Sequence, residues 1–256
     1  MTRLITLVFL FSINFISAQM VEDFVLDEDS NPIPFAKVWV KNYDNLGVVT
    51  SQNKVYWNLG NTYTYEATYL SKDGDTLSSE LVNVCATDSI FNYNQTLLNY
   101  SYSLKNSHLK PKMDSILGFN KEWTAKIGEG ALEGDRLWTH PFRSNQYVLT
   151  EIAPFPRVYF PLTLNSEVKS VTKIFKSFGN FKGTVKSTLK VISKEERTYS
   201  WGVENNCWKI ESVGKHSKLG KSYLTVYFKE GIGFLEMNYT FYNGEKINFK
   251  LLESKK

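Results

Sequence analysis

Alternation with a period of two runs through most of the chain and is the main guide to its fold. From Thr62 to Leu70 (TYTYEATYL) tyrosines alternate with smaller residues, the chain turns at Lys72-Asp73-Gly74, and Thr76 to Val84 returns. This is the pattern of a hairpin with one face buried. Before it, Val21–Leu26 and Ile33–Lys41 read as strands joined by a polar turn over Asp27–Asn31, and Gly47 through Asn53-Lys54 to Leu59 reads as a further hairpin. Pro32 and Pro34 place the start of the second strand at a turn or a sheet edge. Asn94–Tyr102 adds a strand. Beyond Gly183, strands are predicted at Thr184–Val191, Thr198–Val203, Trp208–Val213, Ser222–Lys229, Phe234–Tyr242 and Lys246–Leu252, with Asn243-Gly244 as the clearest hairpin turn. Leu235, Met237, Tyr239 and Phe241 alternate with Glu236, Asn238, Thr240 and Tyr242. The C-terminal part is thus an antiparallel meander with one greasy and one wetter face, a sheet that must close, curl or be covered.

Three stretches break the alternation. Lys105–Asp135 is glycine-rich and poor in strand signal, and is expected to be a linker with one helical turn near Met113–Leu117. In Gly134–Leu162, where prolines and aromatics concentrate, Arg136–Thr139 and Tyr147–Ile152 read as strands around the turn His140-Pro141-Phe142-Arg143-Ser144-Asn145. Ala153–Pro161 is extended by its prolines, either as a rigid crossing over the core or as the wall of a ligand groove. Over 165–179 two patterns compete: Val168, Val171, Ile174, Phe175 and Phe178 share a helical face, while the β-branched residues favour an extended segment. We read it as extended, with the helix as the rival.

Hydrophobic residues at 42% and aromatics at 15% supply enough apolar surface for sizeable cores. The length favours two units over one. The expected fold class is all-β, with an N-terminal sandwich over 19–104, a linker over 105–135 and a larger antiparallel β domain, half-barrel or sandwich, over 136–256.

The run Val25-Leu26-Asp27-Glu28-Asp29-Ser30-Asn31-Pro32-Ile33-Pro34-Phe35-Ala36-Lys37-Val38, followed by Gly47-Val48-Val49-Thr50, resembles the opening of carboxypeptidase-regulatory-like domains. The resemblance covers about residues 20–104 and departs from the family at Asn53-Lys54. It implies a transthyretin-like β-sandwich that serves as an accessory, non-catalytic module. Cys207-Trp208-Lys209-Ile210 together with Tyr227-Phe228-Lys229-Glu230-Gly231-Ile232-Gly233-Phe234 resembles the C-terminal sheets of uncharacterised exported bacterial proteins. That likeness, over residues 184–252, implies antiparallel sheet and no chemistry.

The N-terminus changes the picture of location. Arg3 precedes an apolar run from Leu4 to Ile13 and a small-residue end at Ser17-Ala18, the layout of a secretory signal peptide cleaved after Ala18. The run is too short for a membrane span, so the mature chain is expected to have none. The Ser-Ala-Gln ending resembles exported proteins of the Bacteroidetes. With no cysteine after the apolar run, the expectation is a periplasmic or extracellular protein that is not a lipoprotein. Charge is divided: residues 19–104 hold 4 Lys or Arg against 11 Asp or Glu, and residues 105–256 hold 25 against 15. The basic part suits an anionic envelope component or an acidic protein partner, and export argues against nucleic acid. Cys85 and Cys207, an even pair in an oxidising compartment, permit a disulfide that would close a loop of about 120 residues and stabilise by about 4–5 kcal/mol. Two separately buried thiols are the alternative.

Candidate chemistry is sparse. His140, Arg143 and Glu151, beside Trp138 and Phe155, form the sharpest constellation: Arg143 within reach of Glu151 across the turn, His140 titrating near neutrality, and the two rings as a binding wall. A surface ion pair with a turn-capping histidine explains the same residues. Glu129, Glu133 and Asp135 cluster as a glycosidase pair would, but in a glycine-rich stretch that reads as a solvated loop. Two isolated cysteines and three scattered histidines lack zinc-ligand spacing, so no metal and no cofactor are expected. The leading expectation is a non-enzymatic exported binding or envelope module. A carrier of an apolar molecule inside a curled sheet and a hydrolase using His140 and Glu151 are the alternatives.

Overall fold

A computed structural model describes residues 19–26, 32–40, 55–91 and 95–255. The expected signal peptide, the turn at 27–31 and residues 47–54 of the expected hairpin lie outside the described residues, while the return of that hairpin over 55–59 is bend and turn and not strand. The strands are β1 (Gln19–Leu26), β2 (Pro32–Val40), β3 (Thr62–Leu70), β4 (Thr76–Phe91), β5 (Gln95–Tyr102), β6 (Lys126–Glu133), β7 (Arg136–Thr139), β8 (Arg157–Tyr159), β9 (Glu167–Ile174), β10 (Gly183–Tyr199), β11 (Gly202–His216), β12 (Gly220–Lys229), β13 (Gly233–Thr240) and β14 (Lys246–Lys255). A short helix, α1 (Lys110–Leu117), and three 3-10 segments complete the described chain. The all-β architecture inferred from alternation is what the chain adopts. The strands form one 14-stranded sheet in the order β1-β2-β9-β10-β11-β12-β13-β14-β3-β4-β5-β6-β7-β8, paired antiparallel throughout.

One sheet runs through the residues expected to form a sandwich, a linker and a second β domain. Residues 19–104 do not build a sheet of their own. β1 and β2 join β9 at one end, whereas β3 pairs with β14 from Lys246↔Leu70 to Lys255↔Thr62. The supposed linker supplies β6, hydrogen-bonded to β5 and β7, and α1, whose Met113 and Leu117 are buried. Pairing β14 with β3 covers the edges that two separate sheets would each expose.

The sheet is strongly curled. Ala36 on β2 and Trp138 on β7 belong to one buried cluster with Phe155. These strands stand eleven places apart in the order, which in a flat sheet would be about 50 Å. Only a sheet that bends back on itself brings them together. What it bends around is the proline-rich stretch: from Arg136 to Tyr159 every residue except Arg143 is buried. Phe142 packs on Tyr65 of β3, Tyr100 of β5 and Phe249 of β14; Tyr147 reaches Tyr102 and Phe249; Phe160 reaches Phe228 of β12. The stretch is therefore a crossing that fills the concave side.

Within it, Asn145–Ile152 is a 3-10 helix and not the expected strand. Val148, Thr150 and Ile152 are buried, and so are Tyr147, Leu149 and Glu151, so the alternation had no wet face to report. The coil is fixed by local hydrogen bonds. Asn145, at φ 57°, exchanges two bonds with the backbone of Thr124, and the Thr150 hydroxyl engages the Phe142 and Tyr147 carbonyls at 2.9 and 3.0 Å. The competing patterns over 165–179 resolve as strand then coil: β9 pairs with both β2 and β10, and a 3-10 segment follows over Lys176–Phe181. The expected strand Thr198–Val203 is interrupted, because β10 ends at Tyr199 and the chain turns at Ser200-Trp201 into β11.

Candidate functional site

The turn after β7 does gather His140, Arg143 and Glu151, but it buries them. The His140 amide donates to the Gly130 carbonyl at 3.2 Å, and the His140 carbonyl accepts the Tyr100 hydroxyl at 2.8 Å, which fixes the turn against β5 and β6. Its ring lies among Trp138, Phe155 and Phe91, with centroids at 4.7, 5.7 and 6.5 Å. Burial pushes the imidazole pKa well below its ordinary value and the Arg143 charge pushes the same way. At neutral pH His140 is uncharged.

Arg143 is held by two carboxylates. Its Nε and Nη2 donate to Glu129 at 2.8 and 2.7 Å, a fork on one carboxylate, and Nη1 donates to Glu151 at 3.0 Å. Burial works against the guanidinium charge, yet Glu151 and Glu129 outweigh it and keep the group protonated. Burial raises the Glu151 carboxyl pKa, with Arg143 opposing. Phe178 closes the cluster, with Arg143 and Lys121 over its ring at 5.5 and 5.0 Å. Trp138 and Phe155 are 1% and 3% exposed, so the two residues expected to form a binding wall are core. The constellation holds the crossing in place: its acid is bound to an arginine, and its base is neutral and enclosed.

Two acids of the supposed solvated loop turn out to be structural. Glu129 is the missing partner of Arg143. Glu133 accepts the backbone N–H groups of Val55, Tyr56 and Trp57, the last two at 3.0 and 2.9 Å, and so organises the chain ahead of β3. The cysteines are not bridged: Cys85 on β4 and Cys207 on β11 are free thiols, with β12, β13, β14 and β3 between their strands in the sheet. Burial raises the Cys207 thiol pKa.

The feature that stands out for solvent is on the convex face. Along β10 the even-numbered residues from 184 to 190 point outward while Val185, Ser187, Leu189 and Val191 are buried. In one row across the strands, Lys186 of β10 is opposite Lys215 of β11, which is opposite Lys221 of β12; Val171 and Lys37 continue the row onto β9 and β2. Lys169 and Lys173 of β9 flank it on the same face. The row ends on Glu22 of β1, opposite Lys37; the acids Glu167 and Glu211 come four residues along, in the row of Lys190, and each is paired with a lysine, Lys169 at 3.6 Å and Lys209 at 3.1 Å. Among the described residues, Lys186, Lys215 and Lys221 have no acidic partner. Like charges directly opposite one another cost stability, and three in succession are not what packing alone selects.

Comparison with known proteins adds little to this geometry. No protein-family model and no curated protein sequence matches the chain. Three solved structures do. One is a candidate lipoprotein from Parabacteroides distasonis, 12% identical, with a TM-score of 0.45 over 78% of this chain and 97% of that one. The second is a candidate exported protein with a YmcC-like fold from Bacteroides fragilis, 11% identical, with a TM-score of 0.40 over 78% and 98%. The third is the hypothetical lipoprotein YmcC from Escherichia coli, 9% identical, with a TM-score of 0.37 over 79% and 88%. Two of the three are described as lipoproteins and one as an exported protein, and no name mentions a carboxypeptidase-regulatory-like domain. The expectation that the protein is not a lipoprotein is given up, since the Parabacteroides and Escherichia proteins carry that description. Among the described residues no helix is long and apolar enough to cross a membrane.

Proposed function

We propose that the protein is a non-enzymatic binding module of the cell envelope that takes an anionic partner on the convex face of β9–β12. The observation that carries this reading is the unpaired lysine row, Lys186–Lys215–Lys221, on a rigid sheet. Adjacent strands set the three side chains about 4.8 Å apart at the backbone, close enough for their charges to act together on a polyanion or on an anionic surface. The alternatives fare worse. An apolar carrier needs an empty interior, and the concave side is filled by Phe142, Tyr147, Phe155 and Phe249. A hydrolase needs access to His140 and Glu151, which are 5% and 1% exposed.

The test is binding of the mature protein to phosphatidylglycerol vesicles and to polygalacturonate, which distinguish a lipid from a glycan source of charge. Binding to one of them should weaken as salt is raised. The combined variant K186E/K215E/K221E should lower it by at least about tenfold with its melting temperature unchanged. Equal binding by wild type and variant would sink the proposal.

A further inference from the structure

At the tip of the β10–β11 hairpin Trp201 stands 41% exposed, unusual for a residue of its size next to a well-packed sheet. It is not loose. Its ring stacks on Tyr199 at 4.8 Å with the planes 6° apart, and its indole N–H donates to Glu204 at 3.0 Å. Tyr199 is itself anchored, its hydroxyl donating to Glu236 at 3.0 Å, while Arg197 clamps Glu236 at 2.8 and 3.0 Å. One face of the indole is thus covered and the other is a fixed, flat apolar surface. It borders a cleft of about 300 Å³ lined by Trp201, Glu204, Ile232, Leu252, Glu253 and Ser254, the small end of the range for ligand sites.

From this geometry we infer that the Trp201 cleft binds a neutral polyhydroxylated ligand, a sugar unit of a glycan. The exposed indole face suits the apolar face of a pyranose ring. The carboxylates of Glu204 and Glu253, which can only accept, and the Ser254 hydroxyl suit the ring's hydroxyl groups. Charge decides against a cation. Glu204 has Lys229 at 3.9 Å and Glu253 has Lys255 at 3.1 Å, so the acids are already offset. The cleft is at the end of the long hairpin and does not include the lysine row, so the two sites stand or fall separately.

The experiment follows the Trp201 indole N–H resonance, identified by its loss in Trp201→Phe, while cellohexaose, chitohexaose, maltohexaose or tetramethylammonium is added. At least one oligosaccharide should shift that resonance with a dissociation constant in the low millimolar range or tighter. With affinity measured by isothermal titration calorimetry, Trp201→Ala should lower it at least tenfold, Glu253→Gln several-fold, and K186E/K215E/K221E not at all. Any of three results overturns the inference: no oligosaccharide binds, tetramethylammonium binds in their place, or Trp201→Ala binds sugar as well as wild type does.

Discussion

His140 shows how a residue that looks chemical in the sequence becomes structural once its surroundings are known. Enclosed by Trp138, Phe155 and Phe91, it is neutral in the folded state, its pKa lowered by burial and then by Arg143. In the unfolded chain it titrates near 6.5. Between the lowered native value and that one, the unfolded state binds more protons, so stability rises with pH across the window. The contribution is complete above about pH 6.5 and is lost as pH falls through the native value. Urea midpoints measured from neutral to mildly acid pH should therefore fall for the wild type. In His140→Gln, which cannot take the proton, the histidine share of that slope should be absent even though the variant is less stable throughout. Identical slopes would mean that the ring is reached by solvent. The neighbouring arginine was legible in the sequence as a partner for Glu151, because the two flank one turn. Its second carboxylate, Glu129, was not. An acid among glycines looks solvated until the strand partners are known.

The same blind spot hid a whole element. β6 carries Gly128 and Gly130 and was read as linker, since glycine weakens a strand signal. Across the ladder the Gln95 side-chain oxygen and the Phe91 ring lie over Gly130, 1.8 and 2.7 Å from where a Cβ would stand, so a larger residue there would have to displace both. Where one face is wet and the other dry, the sequence announced its strands well, as in β3, which runs over the expected Thr62–Leu70. It failed where both sides are dry, at Asn145–Ile152, and where two like-patterned strands meet at a turn, at Ser200-Trp201. Glu133 at the end of β6 yields a prediction at this scale. Its carboxylate takes three backbone N–H groups of residues 55–57, charge-assisted bonds that the segment has no other regular structure to replace. Glu133→Ala should cost about 1.5–3 kcal/mol and speed hydrogen exchange of those three amides more than that of β10 or β11. Uniform acceleration over the whole sheet would show that Glu133 supports the fold generally and not this segment.

For the molecule as a whole the decisive contact is the seam between β3 and β14, because it ties a strand from the first third of the chain to the last. Sequence reasoning divided the protein near residue 105 on its length and on a glycine-rich stretch poor in strand signal, where the charge also changes from acidic to basic. That change describes the surface and says nothing about where the interior stops. The interior crosses the supposed boundary through buried Tyr65 and Tyr69 on one side and Ile247, Phe249 and Leu251 on the other. It is reinforced by hydrogen bonds from the Tyr69 hydroxyl to Glu245 at 2.7 Å and from Gln146 to Glu80 at 2.6 Å. Burying each of the three β14 side chains is worth about 1.5–3 kcal/mol, and together they approach the whole net stability of a typical domain, about 5–15 kcal/mol. Neither half can make up that loss alone. Residues 19–104 expressed by themselves would present β3 and β5 as open edges, and residues 105–256 would leave β14 and β6 each with one open edge. Each fragment should give the poorly dispersed amide spectrum of an unfolded or collapsed chain, while an equimolar mixture refolded together should recover the native spectrum. If either fragment alone gives sharp, dispersed resonances, the interior is divisible after all, and the continuous sheet is two domains in contact.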